Sequence, residues 1–150
     1  MTSLEQRRLT YHGAITFLLS LTAGAVFMVA LVTHWEAEPV RAWGAAHRSL
    51  IVMSVWQLAT AAILPMLVLT QRAARVMANS VIWGTYMIAF SVWLSALAGV
   101  RGLAFDGPFV NYLTWSVNGL GGTLTAVGAF LIFRGAASAL KAVASPGSPQ

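Results

Sequence analysis

The chain has 150 residues, 58% of them hydrophobic and only 9% charged, and contains no cysteine. A soluble domain carries about a quarter charged residues, so most of this surface must face lipid, and apolar runs leave no room for a soluble domain on a single anchor. The lack of cysteine excludes disulfides, iron–sulfur clusters and thiolate chemistry; the net charge of +5 comes from basic residues that flank apolar segments in twos and threes, not from the single basic face that nucleic acid requires.

Four stretches, roughly 13–33, 49–70, 76–100 and 112–133, are apolar and free of Asp, Glu, Lys and Arg. About 20 such residues cross a bilayer as a helix, because backbone polar groups in lipid must be satisfied internally. The first run exceeds the apolar core of a cleaved signal peptide and leads into further spans. The segment 34–48, with Glu36, Glu38, Pro39 and Arg41, reads as a connection. Residues 71–75 read as a tight basic turn, and 101–111 as a loop marked by Gly102, Gly107 and Pro108. The sequence therefore predicts an all-α membrane protein, an antiparallel bundle of four transmembrane helices over 1–141, with a disordered tail over 142–150. Pro65, late in the second span, predicts a kink.

Charge sets the expected orientation. Arg7, Arg8, Arg72, Arg75, Arg134 and Lys141 fall on one side, while Arg41, Arg48 and Arg101 fall on the other with Glu36, Glu38 and Asp106. The positive-inside rule makes the first side cytoplasmic. This predicts a multi-pass protein of the bacterial inner membrane with both termini in the cytoplasm. His34 and His47 then lie near the outer face and His12 near the inner one.

Polar residues recur at helical spacing. In the second span His47, Ser54 and Pro65 lie nearly above one another; in the third Asn79, Trp83, Tyr86, Phe90 and Trp93 form a stripe; in the fourth Asn111, Trp115, Asn118, Gly122 and Thr125 do the same. Two explanations stand. Interhelical hydrogen bonds with close approach at Gly119, Gly121 and Gly122 would account for such seams, and so would a pocket for a cofactor or substrate. His47 likewise reads either as an interfacial residue or as a haem ligand. His12 and His47 lie about a membrane thickness apart and cannot share one metal. The spans hold no carboxylate, which excludes di-iron centres, and no Ser/His/Asp set, Walker loop or zinc spacing is present.

The run Trp43-Gly44-Ala45-Ala46-His47, followed eighteen residues later by Pro65, resembles the styrene oxide isomerase family. So do Arg101-Gly102-Leu103-Ala104-Phe105 with Gly107-Pro108, and His12-Gly13 at the first span. Trp83-Gly84-Thr85-Tyr86 is similar to the hydroxylaminobenzene mutases. The first resemblance implies a homotrimer with haem b between protomers, His47 as the axial ligand and Trp93 beside the haem. Ferric iron would act as a Lewis acid on an aryl epoxide, whose opening to a benzylic cation and 1,2-hydride shift yield an aldehyde. The expected substrate is a small apolar aromatic molecule delivered from the lipid bilayer. The family's pocket Asn and Tyr fall on Met53 and Val92 here, so either Tyr86 and Asn118 are the catalytic replacements or the substrate differs. An arylhydroxylamine mutase, a haem electron carrier and a small membrane subunit without catalysis are the alternatives.

Overall fold

The computed structural model describes residues 3–100, 105 and 107–144. Four helices carry the chain: α1 (Leu4–Val32), α2 (Ala37–Ile63), α3 (Gln71–Ala98) and α4 (Phe109–Ala144). All four are long and apolar enough to cross a membrane, so the expected class holds: a four-helix multi-pass membrane protein.

The helices are longer than their apolar runs, and the reasons are local. α1 starts at the Ser3 cap, whose hydroxyl accepts the Gln6 N–H at 3.1 Å. The connection predicted over 34–48 shrinks to a few residues around His34, which adopts φ +55°, because α2 already begins at Ala37. Pro39 falls in its first turn, where no N–H is needed, and Glu38 favours the positive end of the helix dipole while pairing with Arg41. His47 is therefore well inside α2 rather than at its start. Pro65 does more than kink the second span. α2 stops at Ile63, Leu64–Met66 tightens into a 3-10 turn, and Leu67 is extended, since proline removes a helical donor and clashes with the preceding turn.

The predicted basic turn 71–75 is instead the first turn of α3, capped by Thr70. Gly99, at φ +65°, closes α3 in the left-handed conformation that favours glycine. Arg101–Ala104 and Asp106, and with them most of the Arg-Gly-Leu motif, lie outside the described residues, as does 145–150 of the expected tail. Residues 142–144 belong to α4. At 36 residues that helix is about 54 Å long, well beyond the roughly 30 Å of hydrocarbon, so its end with Arg134 and Lys141 extends past the bilayer core.

α1 packs along α2 and α3 along α4, and the two pairs meet through contacts of α3 with α1 and α2. The α3–α4 seam runs through Thr114, Gly121, Gly128 and Gly135, four buried residues at a strict spacing of seven. The backbones touch there: a Cβ added at Gly121 would sit 2.8 Å from the Gly84 carbonyl oxygen, and one at Gly84 2.8 Å from that of Gly121. Gly119 and Gly122 face open space instead, which corrects their assignment to helix packing. The predicted seams of α3 and α4 also turn partly outward, with Trp83 60%, Phe90 53% and Trp115 44% exposed.

Candidate functional site

The side chains that join α1 to its neighbours are His12, Thr16 and Ser20, followed by Gly24, all four residues apart on one face. His12 Nδ1 lies 2.8 Å from the Tyr86 hydroxyl of α3. One turn on, the Thr16 hydroxyl lies 2.9 Å from Gln57 Oε1 of α2. One turn further, His47 Nδ1 lies 2.9 Å from the backbone carbonyl oxygen of Ser20.

A carbonyl oxygen can only accept, so it is Nδ1–H that faces Ser20, and the contact directs Nε2 to the far side of the ring. The carbonyl can serve both the ring and its own helix because it has two lone pairs. The Ser20 hydroxyl adds contacts of 3.4 Å to Nδ1 and to the His47 carbonyl oxygen. A Cβ at Gly24 would fall 2.8 Å from both Nδ1 and Cε1 of the ring. The Nδ1–Cε1 side of the imidazole thus lies close against α1 in a place that glycine leaves open. A histidine with one ring nitrogen held by a carbonyl has its ring orientation fixed, as in histidines that hold a metal through the other nitrogen. Among the described residues no three His, Cys, Asp or Glu side chains converge.

A separate cleft of about 510 Å³ opens between α2, α3 and α4, lined by Ala45, Ala46, Ser49, Ser91, Val92 and Asn118 among others, with Glu38, Arg41 and Arg48 also on its wall. Its α2 wall lies on the flank opposite His47, because residues 45 and 49 sit about half a turn from 47. The Ser91 hydroxyl is already spent on the Thr114 carbonyl at 2.8 Å, which leaves the Asn118 amide as a polar group of the wall.

The predicted site residues therefore do not form one constellation. Asn118 lines the cleft, as does Val92. Trp93 packs edge-on against Trp43, ring centroids 5.3 Å apart, one turn of α2 before His47. Tyr86 belongs with His12, which pairs two turns of α1 away from the Ser20–His47 contact, so it cannot stand in for a polar group beside His47 within one protomer. Ser20 and Gly24 were not among the predicted residues. The four-residue stripe on α1 was the available signal, masked by the small and ordinary nature of its members.

The sequence model described as styrene oxide isomerase matches residues 5–137, a stretch that includes all but the first residue of α1, the whole of α2 and α3, and most of α4. A comparison with curated proteins gives no match.

Proposed function

The chain belongs to the styrene oxide isomerase family, and from that premise we propose that it is a haem-dependent membrane isomerase with His47 as the axial ligand. The observation that carries this reading is the Ser20 carbonyl on Nδ1, which directs Nε2 away from α1 and so frees it for a metal, with Gly24 leaving room for the ring. Ferric haem b, when bound, supplies a Lewis acid that polarises the oxygen of an aryl epoxide for a 1,2-shift to the aldehyde, with no external redox partner.

The protein's own contribution is binding and shielding. The cleft is walled by small apolar side chains from Ala42, Ala45, Ala46 and Val92, dimensions and chemistry that favour a small aromatic molecule arriving from the bilayer. Asn118 provides a hydrogen bond to orient it. The position of this cleft on the flank of α2 opposite His47 supports a site assembled between copies, in a homotrimer where neighbouring protomers complete each haem environment. The excess of Arg and Lys at the ends formed by Arg7, Arg72 and Arg134 supports cytoplasmic termini in a bacterial inner membrane.

The test is an absorption spectrum of the detergent-purified protein beside His47→Ala, with conversion of styrene oxide followed by gas chromatography. A Soret band and aldehyde formation in the parent, both lost in the variant, are expected. A colourless protein after expression with ample haem would overturn the reading. A band with turnover only of arylhydroxylamines would transfer the site to mutase chemistry.

A further inference from the structure

The core of the bundle is interrupted. One apolar cluster contains Leu9, Ala61 and Ile82, and a second contains Ala23, Leu50 and Ala89. On α1, α2 and α3 alike, the stretch between the two clusters holds fully buried polar side chains: Thr16 and Ser20, then Ser54 and Gln57, then Thr85, each at 0% exposure. A polar layer thus crosses three helices between two apolar ones.

Most of this layer is internally matched. The Ser54 hydroxyl donates to the Ile51 carbonyl at 2.8 Å. Thr16 has a single hydroxyl proton but two acceptors at 2.9 Å, the His12 carbonyl and Gln57 Oε1. Turning the Gln57 amide end for end resolves the conflict: Nε2 then donates to Thr16, and Thr16 donates to His12. As placed, the Nε2 end of the amide has no protein partner. The Thr85 hydroxyl has none either, and the indole N–H of Trp56, the residue before Gln57, is a third buried group without one.

Leaving an amide and a hydroxyl dry in the middle of a membrane bundle is heavily penalised. A buried water relieves such groups, making about three hydrogen bonds to polar atoms that would otherwise go unmatched. We propose that the layer is a hydration site, binding an ordered water between the outward end of the Gln57 amide and the Thr85 hydroxyl and so tying α2 to α3 beside the Thr16 contact with α1. The site is separate from the Ser20–His47 contact and does not depend on any cofactor.

Thr85→Val decides the matter, since valine matches threonine in shape but lacks the hydroxyl. If the hydroxyl holds a water, the substitution lowers the thermal midpoint of the detergent-purified protein by about 2–4 °C. Its effect and that of Gln57→Met then sum to more than the double variant shows, because both remove partners of the same molecule. In bilayers, solid-state NMR of the unsubstituted protein shows magnetisation passing from water to the Gln57 side-chain amide. A higher midpoint for Thr85→Val, strictly additive effects, or an amide that receives nothing from water would each overturn the proposal.

Discussion

The two helix pairs are joined by opposite means. α1 and α2 meet through side chains and directed hydrogen bonds, Thr16 to Gln57 and the Ser20 carbonyl to His47. α3 and α4 meet chiefly backbone to backbone at Gly84 and Gly121, with Gly128 against Val81 and a single directed bond from Ser91 to the Thr114 carbonyl, while Gly135 lies against Leu69 just before α3. Without a hydrophobic force between helices in lipid, close backbone contact gains dispersion energy at little side-chain entropy, so the glycine seam is a weld. The hydrogen-bonded pair instead fixes the direction of individual polar atoms.

The sharpest way to break this contrast is to crowd the weld. Gly121→Leu places a side chain where Gly84 oxygen already lies 2.8 Å from an added Cβ, and should cost about 3 kcal/mol, at the top of the range for overpacking. The thermal midpoint and the yield of folded protein in detergent check it. Gly24→Ala attacks the other pair. Its methyl group meets the His47 ring, and haem affinity should fall by about tenfold or more, as for other residues that orient a metal ligand, while the midpoint moves little. Titration of the apo-protein with haemin measures this. Asn118→Leu should leave the Soret band unchanged and lower kcat/KM by about tenfold, the worth of one hydrogen bond to substrate. Gly122→Leu, one residue from the weld but facing open space, should change stability by no more than about 0.5 kcal/mol.

The architecture was legible in the sequence because four charge-free apolar runs admit little else in a membrane. The boundaries were less so. Glu36, Glu38 and Pro39 look like a loop, yet the same residues suit the first turn of a helix, and composition does not distinguish the two. The seams failed for a related reason. A spacing of four and three identifies a helical face but not its direction, and aromatic residues such as Trp83 and Phe90 are as much at home against lipid as inside a bundle. Asn118 lies on a cleft wall, and Tyr86 meets His12, 74 positions away in sequence, a pairing that local spacing does not reveal. His47 stands out by its motif; its contact with Ser20 was not legible, since a backbone carbonyl has no letter of its own.

That last point reaches beyond this chain. The acceptor that orients the His47 ring is the main chain of Ser20, so no substitution at position 20 other than one that bends the helix can delete it. Natural variation could exchange every side chain around the imidazole and preserve this contact, provided the two helix axes keep their separation. The spacing between α1 and α2 is then the inherited quantity, and if haem binds as proposed, the Soret band would gauge whether those two helices have docked.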